Sequence, residues 1–196
     1  MKVQSVRCVY FSPTGTTKTI AESITQGISP EFIEMIDITK RLQRNSQPLI
    51  GKDDIVILAT PVYYGRVPEE IIPYLTSLKA ARTPVVLVAV YGNRAFEDSL
   101  KELHDIAVGA NFIPVAGGAF VAEHSYSSET YPIAPNRPDE SDIQKAQEFG
   151  ADLLVQHCRA FAKIKHIHLT HDSWQLVKHC PLPLLLVKDE EWGDSV

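Results

Sequence analysis

Residues 5–27 read SVRCVYFSPTGTTKTIAESITQG, and this stretch decides the fold. Its first seven residues are short, β-branched and aromatic, and Ser12-Pro13 ends the run, as strand signals do. From Thr17 the spacing turns helical: Ile20 and Ile24 fall on one face, and Gly27 marks the predicted stop. Between strand and helix lies Ser12-Pro13-Thr14-Gly15-Thr16-Thr17, four hydroxyls around one glycine. A helix start presents unpaired N–H groups and partial positive charge, so a phosphate fits there. The hydroxyls of Ser12, Thr14, Thr16 and Thr17 each add a donor, and Gly15 allows the tight turn. A plain Ser/Thr cap is the other reading, but a cap needs one hydroxyl rather than four. Neither a GxxxxGK[ST] loop nor a GxGxxG fingerprint is present. With Lys18 the one charge nearby, the loop suits a terminal monophosphate held by neutral donors.

The strand–loop–helix pattern repeats outward. Residues 32–38 (FIEMIDI) alternate apolar and polar, as an edge strand does. Residues 55–59 (IVILA) and 85–91 (VVLVAVY) are continuously apolar, as strands covered on both faces are. Residues 112–121 predict a fifth strand, interrupted by Gly117-Gly118. Helices are predicted over 67–78, with Pro68 in the first turn, over 96–108, with a clean apolar stripe, and over 141–158. Five strands alternating with four helices imply an α/β fold: a parallel sheet with helices on both faces, the leading strand order being 2-1-3-4-5. The architecture is complete near residue 160. Residues 1–160 therefore read as one domain and 161–196 as a C-terminal extension.

Composition narrows the function. The chain has 196 residues, 44% hydrophobic and 22% charged, which is ordinary for a globular domain with its own core. Nineteen basic against 24 acidic residues argue against nucleic acid as the main partner. No apolar stretch reaches the roughly 18 residues of a membrane span, so no membrane partner is expected. Met1-Lys2 lead straight into a strand-like run with no signal peptide. Cys8, Cys158 and Cys180 form no CxxC, which argues against zinc ribbons, cluster loops and disulfide scaffolds. The expectation is a cytoplasmic protein with reduced thiols.

In open α/β sheets ligands bind beyond the carboxyl ends of the strands. The third strand is followed by Pro61, Val62, Tyr63, Tyr64 and Gly65, the fourth by Tyr91, Gly92 and Asn93, and the fifth by Glu123 and His124. Tyr63 and Tyr64 fit either stacking on a flat heterocycle or packing locally. Gly65 offers a peptide free to reorient, and Asn93 can both donate to and accept from a ring edge. Arg66 and Arg94 read as rim residues or as solvated surface arginines. His124 fits either a group facing the ligand or a surface loop histidine; it is not assigned as catalytic.

YFSPTGTTKTI resembles the phosphate loop of flavodoxins, a hydroxyl-rich TGxT run after the first strand. Together with PVYYGRVP, VYGNRAFEDSL, GGAFVAEHSYS and PIAPNRPDESD, the chain resembles the flavodoxin half of prokaryotic flavodoxin–ferredoxin fusion proteins over residues 3–158. The resemblance implies a flavodoxin-like three-layer sandwich, bound FMN in the loops just named, and one- or two-electron transfer. The cysteine runs of the ferredoxin half are missing, which puts the redox partner in doubt: a reductase, a ferredoxin-type protein or a small electron acceptor. Three functions follow: an FMN electron-transfer protein, an FMN-dependent NAD(P)H oxidoreductase acting on quinones, and a binding module that kept the fold without flavin. Residues 1–160 carry 15 basic and 19 acidic residues, less than the strong acidic face that would steer a shuttle.

The extension has a different texture. His171-Asp172 onward, HDSWQLVKHCPLPLLLVKDEEW, resembles the last helix and strand of universal stress protein domains, without that family's nucleotide-binding glycine loop. His166, His168 and His171 have no carboxylate or thiol at a matching spacing, so no metal is expected. The apolar run at 182–187 needs covering, either along its own body or across a two-fold axis with a second copy. The second arrangement, a homodimer through the extension, is the favoured expectation.

Overall fold

The computed structural model describes residues 5–158 and 185–187. The strands are β1 (Ser5–Tyr10), β2 (Phe32–Asp37), β3 (Ile55–Pro61), β4 (Pro84–Tyr91), β5 (Ile113–Val121) and β6 (Leu185–Val187). The helices are α1 (Thr16–Ile28), α2 (Ile72–Ser77), α3 (Ser99–Gly109) and α4 (Glu140–Cys158). All neighbouring strands pair in parallel, in the order β2-β1-β3-β4-β5-β6. The body has the expected 2-1-3-4-5 order, and a short sixth strand is added at its far edge.

Side-chain alternation along the strands builds two cores. Val6, Cys8 and Tyr10 of β1 join Ile57 and Val88 under Ile20, Ile24 and Phe149 of α1 and α4. Val9, Phe11, Leu58 and Leu87 face the other way, onto Leu75 and Leu103 of α2 and α3. β3 and β4 are buried on both faces, which is why their sequences are apolar without interruption. β2 is an edge strand with no buried residue.

Three local expectations change. Gly27 does not end α1; the helix runs to Ile28, and Ser29 closes it in the left-handed region, at φ 46. Gly27 serves packing instead. A Cβ there would collide with the Gln147 carbonyl of α4, as one on Gly150 would with the Ile24 carbonyl of α1. The helix expected over 67–78 splits into a 3-10 turn (Glu69–Ile71) and α2, because Pro73 has no N–H to donate and is tolerated only in a first turn. α3 starts at Ser99 rather than 96, since Asn93 (φ 53) and Glu97 (φ 38) keep the preceding loop out of helical geometry. The five-stranded sheet expected of the body is present, and the extension adds a short sixth strand to its edge. Leu185–Val187 pairs with Ala116–Gly118 of its own chain, the first of the two arrangements expected for the 182–187 run. The histidine cluster at 166–171 and the stress-protein-like helix lie outside the described residues.

Candidate cofactor site

The loop after β1 is built around the start of α1. Gly15 is the residue before the helix and sits at φ 88, a conformation that glycine adopts without a Cβ penalty. A glycine cap has no hydroxyl, and Ser12 supplies one from three residues earlier: its Oγ accepts the Lys18 N–H at 2.9 Å. The Thr16 and Thr17 N–H groups have no helix carbonyl in reach. Beside them the Thr14 and Thr16 hydroxyls stand 3.1 Å apart on the exposed side. Thr17 is buried. Two hydroxyls and two N–H groups thus lie together at the positive end of a 13-residue helix.

The loop after β3 is a two-residue turn. Tyr63 and Arg66 exchange backbone hydrogen bonds of 2.9 Å, and both central residues have positive φ, Tyr64 at 52 and Gly65 at 75. Glycine is at home in this conformation. A tyrosine is not, and such strain concentrates at functional sites. The Tyr64 ring is 91% exposed. Two carboxylates from the β4–α3 segment hold this turn. Glu102 takes both Nε (3.0 Å) and Nη2 (2.7 Å) of Arg66 and also the Val67 N–H (2.8 Å). That hydrogen bond from Arg66 holds the Glu102 carboxyl below the usual range. Glu97 fills the space where a side chain on Gly65 would go. Arg66 is therefore part of a clamp. An open groove of about 540 Å³ continues from it along α3, past Asp98, Lys101 and Ile106, away from the hydroxyl loop.

The loops after β4 and β5 interlock. Gly92 lies so close to His124 that a Cβ would meet the imidazole. The His124 Nδ1 accepts the Tyr126 N–H at 3.0 Å, which leaves the ring proton on Nε2. The Tyr126 ring packs 5.3 Å from the imidazole, and the neighbouring Tyr64 hydroxyl pushes its phenol above the ordinary range. A continuous aromatic rim thus joins the loops after β3 and β5. Asn93 is exposed at the same edge. Tyr91 is not: it is buried in the core, edge-on to Phe96 at 5.5 Å. The Glu123 carboxylate is likewise committed, accepting the Asn136 N–H at 3.1 Å within its own loop. Pro61 and Val62 are half-buried, and the Val62 N–H reaches back to the Val90 carbonyl.

Three site residues escaped the sequence reading: Tyr126, Thr39 and Arg44. Tyr126 was visible as the second aromatic of the β5 loop. Thr39 and Arg44 follow β2, whose carboxyl end also faces this edge although β2 is the outermost strand. Among the described residues no group of three or more His, Cys, Asp or Glu is placed to hold a metal ion, and no helix is long and apolar enough to cross a membrane.

A parallel three-layer sandwich of this strand order, with a hydroxyl-lined helix start and tyrosine-bearing loops at one sheet edge, defines the flavodoxin class of fold. The chain belongs to the flavodoxin domain family, whose pattern matches residues 8–109. Oxidised flavodoxin 1 from Bacillus cereus is similar in structure, with a TM-score of 0.55 and 16% identity over 78% of this chain and 98% of that one. A flavodoxin from the domain Archaea aligns over the same shares, with a TM-score of 0.53 and 14% identity. The C-terminal region has separate relatives: universal stress protein E of Photorhabdus laumondii is 37% identical over 60 residues, 31% of this chain, a stretch longer than the extension alone. That match spans 19% of the relative's length.

Proposed function

We propose that this protein binds FMN and works as an electron carrier between other redox proteins. The observation that supports it best is the convergence of the Thr14 and Thr16 hydroxyls with the free N–H groups at the start of α1. That donor set matches a phosphate monoester, which FMN has and riboflavin lacks. Thr14, Thr16 and the Thr16 and Thr17 N–H groups hold the phosphate, while Tyr64, Gly65 and Asn93 face the ring. Bound flavin supplies one- and two-electron chemistry. The chain's own residues bind and orient it, and His124 presents an Nε2 proton at the edge. The redox partner is a separate reductase or ferredoxin-type protein.

Protein purified without added cofactor is expected to show a flavin spectrum, and the released flavin is expected to be FMN. Equal affinity of the flavin-free protein for riboflavin and FMN would sink the phosphate assignment. Mixing the loaded protein with NADH or NADPH alone is expected to reduce the flavin slowly, and an added reductase to accelerate it. Rapid direct reduction with turnover on a quinone would favour an oxidoreductase over a carrier.

A further inference from the structure

Arg44 lies in the 3-10 turn Arg41–Asn45 that follows β2, and its side chain is only 13% exposed. Its fork reaches backbone carbonyls in two segments: Nε donates to Ile38 O at 2.8 Å, Nη2 to Thr39 O at 3.0 Å and Nη1 to Glu70 O at 2.8 Å. The Glu70 carboxylate, 3.5 Å away and 55% exposed, is a weak counterion. The guanidinium also lies 5.4 Å above the ring of Phe11, the residue before Ser12. An arginine that directs its planar fork at carbonyls fixes backbone positions.

What it fixes are the two ends of the cofactor site. Thr39, held by Arg44, accepts the Ser12 N–H on its hydroxyl at 3.0 Å, and Ser12 in turn caps α1 through Lys18. On the other flank, Phe11 meets Tyr63 edge-on at 6.4 Å, and Glu70 lies just beyond the Tyr63–Arg66 turn. We propose that Arg44 is a positioning residue that sets the hydroxyl loop against the ring turn, acting on the loop through Thr39. A ligand with both phosphate and ring then meets the two ends at one spacing, and a ligand with the ring alone does not need it. The inference rests on the FMN reading above.

The test is titration of flavin-free, full-length protein with FMN and with riboflavin, followed by flavin fluorescence. In Arg44→Gln the preference for FMN over riboflavin is expected to fall about tenfold, the scale of one misplaced charged hydrogen bond. Thr39→Val, which removes one hydroxyl, is expected to lower the same ratio. It decides the matter if Arg44→Gln does not fold. Equal loss for both flavins, or an unchanged ratio in Thr39→Val, overturns the proposal while the wild-type preference for FMN stands. No preference in the wild type overturns the FMN reading, and the role of Arg44 with it.

Discussion

Thr14, Thr16 and Thr17 are neighbours in sequence but divide between ligand and scaffold. The Thr14 and Thr16 hydroxyls pair with each other on the exposed side of the helix start, whereas Thr17 is buried. Thr14→Ala or Thr16→Ala is expected to weaken FMN by about 1.5–3 kcal/mol, the range for hydrogen bonds to a charged group, with little change in melting temperature. Thr17→Ala is expected to lower the melting temperature as well. Calorimetric titration beside thermal unfolding separates the two. Cys8 makes a different residue-scale prediction. Burial pushes its thiol from the ordinary 9.0 up to about 12. Below pH 9.0 the thiol is protonated in folded and unfolded chains alike; between pH 9.0 and about 12 only the unfolded chain ionises. Stability should therefore fall with rising pH in that window, by at most about 1.4 kcal/mol per pH unit from this group. Urea unfolding of wild type and Cys8→Ala across the window is expected to show a shallower slope in the variant.

At the scale of elements, the contact between α1 and α4 depends on two glycines facing each other's backbone. Substituting glycine by alanine inside a helix ordinarily stabilises by about 1 kcal/mol. Gly150→Ala is expected to do the reverse, because its Cβ would strike the Ile24 carbonyl. Gly109 ends α3 with nothing within 4 Å of the place a Cβ would take, so Gly109→Ala is expected to be neutral or stabilising. Urea midpoints of the two variants should move in opposite directions. A rise in both would show that α1 and α4 can separate without cost.

For the whole molecule, the geometry of the sheet separates β6 from the site. β6 pairs with Ala116–Gly118, while β5 continues to Val121 before its loop begins. The added strand thus lies below the carboxyl edge. A chain truncated after Lys163 is expected to keep FMN affinity within about twofold, since no proposed contact is removed. The same truncation uncovers the β5 edge, and an open edge promotes association. Light scattering is expected to report a larger apparent mass. Loss of FMN by a truncated chain that still folds would place the extension over the cofactor.

The strand order, the two-sided burial of β3 and β4 and the hydroxyl loop at α1 were all legible in the sequence. The last two are local properties: an unbroken apolar run tells a central strand from an edge, and hydroxyls beside a glycine need only their own helix start; the strand order follows instead from the alternation of strands and helices along the whole body. The roles of Gly27 and Gly150 were not legible, because a glycine that ends a helix and one that admits a second helix look alike until the two helices meet. Tyr91 and Tyr63 stand at strand ends of similar sequence, yet the first is the last residue of β4 and is buried in the core, while the second lies in the turn after β3 and stays at the rim. The clamp of Glu102 on Arg66 spans 36 residues, and the contact of Arg44 with Glu70 spans 26. Charges that far apart along a chain become partners only when parallel strands bring their loops to one edge, so the tertiary structure alone decided which arginines hold the site together.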